Sequence, residues 1–458
     1  MVVSGSAILG VATAAETLIT LEREKKSVGG KNKAGLKTAE MNIPGPDDYL
    51  TSEEVEKLTP EIVIERVRAL KPLMAKHRRE AELRAIPIPE VWNALRKTGY
   101  YYLTVPKIWG GLEASFDQML DATFAVCEAD PAMGWLASFS VMNPRSAAAF
   151  SDRAHKDMYG NGEDFVSGRY TILNTLFAPF GEARKVDGGW RVSGTWSWGT
   201  TVQMADWVSV MCFTGEPGPD GVRPMGTFLM PVTDVTVLDT WTADGLVATG
   251  THKVLIEDVF VPEYRTVNCV MTSPQWINII RERFDYPVFK ADLRNALSTT
   301  ISVALVGIAR GAVQRYTELL QQWTKRGDAD IEKENQASQI RLAQVHAAVQ
   351  GCEIQLRDIA RRTYEVANEP AEVQVKVAEK IMCEIAYVGH TCRDAVLEIS
   401  KGLGTSAHYV EEPMSQFIRD IVVGSTHGAV NWDRNMAVSG RALLGVPQPS
   451  PKANARMS

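Results

Sequence analysis

Residues Trp241 to Arg265 read WTADGLVATGTHKVLIEDVFVPEYR. They end a run of about a hundred residues, 166–265, in which β-branched and aromatic residues alternate and turn signals recur. Asp187-Gly188-Gly189 is one such signal, and the Gly/Pro-rich stretch 215–224 is another. On both sides the texture is helical. Upstream, Ser52 is a plausible N-cap before EEVEKL, residues 61–76 place apolar side chains three and four apart, and residues 90–98 and 116–149 continue in kind. Downstream, helical patterns run over 293–323, 335–368, 371–400 and from Pro413 onward, with no strand signal of comparable strength after Pro274. The order is therefore an N-terminal helical domain, a middle β domain and a C-terminal four-helix bundle, an α+β chain. The spacing predicts a mobile N-terminal tail over 1–46 and domains over 47–160, 161–270 and 271–458.

At 458 residues and a formal net charge of −6 the chain reads as globular and soluble, with no basic stripe for nucleic acid. The six cysteines are scattered without CxxC pairs, which argues for reduced thiols and against a metal site. Residues 7–21 are mostly apolar, but they contain Glu16 and follow no basic residue, so they do not read as a signal peptide or a membrane span. A cytoplasmic location is expected.

Four segments resemble one family in order. They are GYYYLTVPKIWGGLEAS with CEADPAMGWLAS, between 87 and 138; GGWRVSGTWSWGTTVQMADW, 188–207; the opening stretch, 241–265; and GLGTSAHYVEEPMSQFIRD, 402–420, followed by IVVGSTHGAVNWDR. They are similar to the acyl-CoA dehydrogenase fold, and within it to the two-component, reduced-flavin-dependent monooxygenases. The resemblance covers about 400 residues and implies a β-barrel-like middle domain and a homotetramer. In dehydrogenases a glutamate stands eight residues past the Arg-Asp pair; here that place is Gly428, beside His427.

What the resemblance implies is an oxygenase component that takes FMNH2 or FADH2 from a separate NAD(P)H:flavin reductase. Reduced flavin and O2 would give a C4a-hydroperoxide that hydroxylates an aromatic or polycyclic small molecule. No GxGxxG follows a strand and opens a helix, which agrees with reduction elsewhere. An isoalloxazine needs an aromatic wall and a polar partner near N5, and Trp198 and Thr200 match those roles, alternating on one face of a strand. Trp196 reads instead as core. Phe177, Pro179 and Gly181 match a PxG loop against the flavin, or an ordinary turn leaving a strand. Gly404 allows close approach to the cofactor or ends a helix.

His427 is the expected proton-handling residue, and the alternative is a histidine capping a helix. Trp135 and Asn143 are expected on the substrate side. Asn143 stands where phenol-type members carry a histidine, and an amide cannot ionise a phenol. Arg145 binds an acidic substrate group or is structural. Oxidation at nitrogen or sulfur is the nearest alternative function. An acyl-CoA dehydrogenase with its base at Glu384 or Glu398 is another, and a flavin-binding relative without chemistry is a third.

Overall fold

The computed structural model describes residues 35–42, 44–159, 171–219, 221–291, 293–322 and 332–449, and the side chains of these except 46, 52 and 293–298. Most of the expected N-terminal tail lies outside them. Eight described helices precede the sheet: α1 (Ser52–Glu56), α2 (Pro60–Ala69), α3 (Lys71–Arg84), α4 (Pro89–Lys97), α5 (Phe116–Ala129), α6 (Pro131–Val141), α7 (Asn143–Ala147) and α8 (Asp152–Tyr159). The cap of α1 is Thr51 rather than Ser52; its hydroxyl accepts the Glu54 N–H while Glu54 accepts the Thr51 N–H at 2.7 Å. The single helix expected over 116–149 is three helices. Asp130 accepts the N–H groups of Ala132 and Met133 and starts α6 with Pro131 at its first position, and Pro144 interrupts again at α7.

Seven strands form one open sheet in the order β5-β6-β2-β1-β3-β4-β7. They are β1 (Leu173–Val186), β2 (Gly189–Gly199), β3 (Trp207–Phe213), β4 (Met225–Pro231), β5 (Thr236–Leu238), β6 (His252–Pro262) and β7 (Thr266–Val267). The Asp187-Gly188 signal is the β1–β2 turn, and 215–224 joins β3 to β4. β1 and β3 pair in parallel, with a register shift between Leu176 and Gly181. Residues just before Pro46 are not all tail: Thr38 bridges Leu238, and Ala39 donates to Val237 O at 2.9 Å, along the outer edge of β5.

After α9 (Pro274–Arg283) and α10 (Pro287–Lys290) come the long helices α11 (Leu293–Gln322), α12 (Gln336–Glu365) and α13 (Ala371–Leu403). The fourth expected helix is two, α14 (Pro413–Gly424) and α15 (Trp432–Leu443), because the chain turns at 425–431. One apolar core runs through the N-terminal helices and the long helices; a second lies within the sheet around Trp196, Val192, Val208 and Phe228. Burying large apolar side chains at ~25 cal/mol per Å² drives both. No described helix is long and apolar enough to cross a membrane.

Candidate active site

The opening segment meets the bundle at its loop before β6. Leu246 donates its N–H to Asp420 Oδ1 at 2.5 Å, near the end of α14. Gln416 Nε2 donates to Asp420 Oδ2 at 3.2 Å and to Asp130 Oδ1 at 3.3 Å. One amide thus ties α14 to the cap of α6. Burial disfavours both carboxylates' charge and pushes Asp420 up to about 7, the backbone hydrogen bond from Leu246 opposing; Asp130 rises to about 6, against the pull of Arg78. The loop lies so close that a Cβ at Gly245 would stand 2.2 Å from the Arg419 carbonyl oxygen. The Arg-Asp pair and the Asp-Pro start of α6 were the sequence signals for this junction, and neither was assigned a role.

From Leu246 a line of hydroxyls crosses to the end of β2. Thr249 Oγ1 donates to Leu246 O at 2.7 Å, Thr249 and Thr251 hydroxyls lie 2.8 Å apart, and Thr251 and Thr200 hydroxyls 3.4 Å apart. Asn174 donates to the Thr200 carbonyl. β2 ends at Gly199, and Trp198 has φ +61°, so the regular alternation expected for Trp198 and Thr200 does not extend to them.

The tryptophans divide clearly. Trp196 is fully buried, its Nε1 donating to Met211 O at 3.3 Å, and a Cβ at Gly181 would meet its ring at 2.3 Å. Gly181 therefore serves the packing of Trp196. Trp198 is 65% exposed. A flat apolar partner covering that indole would remove a large hydrophobic surface from water, and the half-exposed Thr200 offers a polar atom two residues on, so these residues fit a flavin ring. Phe177 is half-buried and Pro179 exposed, both within the irregular part of β1.

His427 sits in the turn between α14 and α15. Its Nδ1 accepts the Ala429 N–H at 3.1 Å, which places the proton of the neutral ring on Nε2. The ring has open surface, yet surrounding protein disfavours its cation and, with repulsion from Arg434, lowers it to about 4. Trp135 and Phe139, one turn apart on α6, approach the imidazole edge-on, each with ring centroids 6.0 Å away. Asn143 follows Phe139 by four residues; it is 8% exposed, and its Nδ2 has no hydrogen-bond partner. His427 thus caps a turn through Nδ1, one of the two alternatives, and keeps a hydrogen to donate on Nε2.

Arg145 lies elsewhere. It is 2% exposed, and Nε and Nη2 donate to the carbonyls of Val288, at 3.2 Å, and Ala291, at 2.5 Å, which is the structural role. Gly404 ends α13, its N–H donating to Ser400 O, and no described contact joins it to Trp198, Thr200 or His427. The carboxylates considered as dehydrogenase bases are paired: Glu384 with Arg362 at 3.0 Å, and Glu398 with Lys401 at 2.7 Å and Arg341 at 3.2 Å. Of the other histidines, His155 bonds Ala147 O at 2.8 Å, and burial lowers it to about 4. His77 contacts Glu80 at 3.0 Å, and His390 lies against Trp432. A groove of about 460 Å³ between α12 and α13 shares no residue with this site. Among the described residues no group of three or more His, Cys, Asp or Glu could hold a metal.

Residues 299–432 match the family described as acyl-CoA dehydrogenase, C-terminal domain. The pigment production hydroxylase of a Rhodococcus species is 28% identical over 396 residues, 85% of this chain and 98% of that protein. The oxygenase subunit HsaA, a flavin-dependent monooxygenase of Rhodococcus jostii, is 27% identical over 84% of this chain and 98% of its own. The crystal structure of 3-HSA hydroxylase from Rhodococcus sp. RHA1 superposes with a TM-score of 0.76 at 26% identity, covering 85% of this chain and 98% of that one. These likenesses bear out the expected kinship with flavin-dependent monooxygenases built on the acyl-CoA dehydrogenase fold, and the expectation of an oxidoreductase. A matched resorcinol hydroxylase oxygenase component of a Rhizobium species, 26% identical over 379 residues, is named for its dependence on FADH2, in line with the flavin expectation.

Proposed function

We propose that this chain, similar along most of its length to oxygenase components of flavin-dependent monooxygenases, is itself such a component. It receives FMNH2 or FADH2 from a separate NAD(P)H:flavin reductase and uses O2 to hydroxylate an aromatic or polycyclic small molecule. The observation that carries the reading is His427: a neutral imidazole with Nε2–H free, set against Trp135 and Phe139, beside a glycine where a dehydrogenase has its base.

Bound reduced flavin supplies the electrons that activate O2. Trp198 would wall the ring and Thr200 would hold its polar edge, with Phe177, Pro179 and Gly181 in the strand beside them. Trp135 and Phe139 exclude water from the substrate's faces. Asn143 Nδ2 would hold a substrate oxygen or nitrogen without ionising it, and His427 would donate a hydrogen bond from Nε2 where oxygen is transferred. Because Asn143 is no base, oxidation at an electron-rich nitrogen or sulfur is the second reading.

The domains run over 47–160, 161–270 and 271–458, with the sheet curved as a barrel-like body. Exposed apolar residues on α12, Ile340, Ile354, Ala343 and Ala347, support a homotetramer; Gly404 toward the cofactor and a cytoplasmic location belong to the same proposal. The test is to incubate the protein with NADH, a general flavin reductase, FMN or FAD and a panel of phenols, indoles and sulfur heterocycles, and to identify products by mass. Reduction of bound flavin by an acyl-CoA, with no oxygenated product, would sink the reading.

A further inference from the structure

The turn that carries Trp198 and Thr200 bends in a way its residues do not favour. Trp198 stands at φ +61° and Thr201 at φ +75°, and neither is glycine, so at both positions Cβ crowds the backbone. Such backbone persists only where its surroundings hold it. Packing of the side chains does little to hold it, since Trp198 is 65% exposed and Thr200 half-exposed. The hold is on the carbonyl groups. Asn174 on β1 is 3% exposed and donates from Nδ2 to the Thr200 carbonyl. Arg96 on α4 donates from Nη2 to the Met204 carbonyl at 3.2 Å, and the Asn42 N–H reaches the Gln203 carbonyl at 2.8 Å. Of the three, Asn174 grips the turn between its two left-handed residues. It is itself anchored, its backbone pairing with Val208 of β3 inside the sheet.

The backbone is thus pinned while both side chains stay clear for a ligand. We propose that Asn174 is a positioning residue for the cofactor: its amide locks the left-handed turn, so that Trp198 and Thr200 meet the flavin already oriented and binding does not have to order them. Nδ2 is the atom at work, because a carbonyl can only accept and the turn offers it one. The proposal rests on the reading of Trp198 and Thr200 as flavin contacts.

Glycine adopts positive φ without crowding, so Thr201→Gly lets the turn keep its shape unaided and makes Asn174 dispensable. The experiment is anaerobic titration of the full chain with dithionite-reduced FMN and FAD, read by tryptophan fluorescence and equilibrium dialysis, for the wild type, N174A, T201G and N174A/T201G, with melting temperatures taken beside them. N174A raises the Kd of the flavin that the wild type binds about ten-fold. T201G and N174A/T201G both stay within about three-fold of the wild type, although the space emptied at Thr201 lowers their melting temperatures. An asparagine that merely stabilises the sheet gives another pattern, with affinity following melting temperature and the double variant weakest. That pattern, or an N174A Kd within about two-fold of the wild type, overturns the positioning role and leaves the flavin site standing. If N174A does not fold, N174S, whose hydroxyl stops one bond short of the amide nitrogen, and N174S/T201G are read in the same way. Failure of the wild type to bind either flavin overturns the flavin reading and the positioning role with it.

Discussion

Leu246 gives its backbone N–H to Asp420 across 2.5 Å, from a loop of the β domain to a helix of the bundle. Asp420→Ala leaves that donor without its acceptor in a dry place, and leaves the Gln416 amide with Asp130 alone. The expected cost is about 2–4 kcal/mol in urea unfolding, with Asp420→Asn losing less than half of it. Equal stability of the alanine variant and the wild type would show that the junction contributes nothing.

The same carboxylate sets a pH dependence. Its folded pKa stands near 7, above the ~3.9 of an unfolded aspartate, so the folded state keeps a proton that the unfolded state has lost. That contribution is fully present below about pH 4 and is lost as pH rises through about 7; Asp130 adds the same sign up to about 6. Arg419, Glu82 and Asp130 face Asp420, and Arg78 faces Asp130. His427 acts oppositely, its contribution being present above about 6.5 and lost as pH falls through about 4. Melting temperatures taken from pH 5 to 8 should fall less in Asp420→Asn than in the wild type. Parallel curves would remove Asp420 as the source.

His427→Ala is expected to bind flavin as the wild type does, while product formed per NADH drops about ten-fold and hydrogen peroxide rises. In the wild type the imidazole should titrate near pH 4 by NMR. A midpoint near 6.5 would mean the ring is not enclosed.

Two tryptophans two residues apart should behave in opposite ways. Trp196→Ala empties the sheet core and is expected to cost about 3–5 kcal/mol. Trp198→Ala should leave the melting temperature within a degree or two, since its ring is largely exposed, and weaken flavin binding about ten-fold or more. Unimpaired flavin affinity would take Trp198 out of the site.

Asn143→His changes what the start of α7 offers a substrate without touching Trp198 or Thr200. The expected result is a shift in substrate preference towards ionisable phenols with flavin affinity within about two-fold of the wild type. A collapse of flavin affinity instead would place Asn143 on the cofactor side.

The order of textures was legible because periodicity survives in long segments: α11, α12 and α13 lie close to their expected spans, and the Asp187-Gly188 turn is where the sequence puts it. Boundaries were less legible. Thr51 displaces Ser52 as a cap because its hydroxyl reaches the Glu54 N–H, and the pattern after Pro413 does not reveal the turn that carries His427. Trp196 was correctly separated from Trp198, yet the reason for Gly181 became visible only with the Trp196 ring beside it. Arg145 could not be settled from neighbours in sequence, since its partners, Val288 and Ala291, are far along the chain. The same distance hid the Asp130–Gln416–Asp420 junction.

The pairing of Thr38 and Ala39 with β5 gives the chain's beginning a mechanical meaning. A shortened form starting at Pro46 would strip the cover from a row of backbone donors and acceptors at the sheet's rim. Such a bare rim is a template for sticking to other chains. Removing residues 35–45 should therefore bring precipitation in expression.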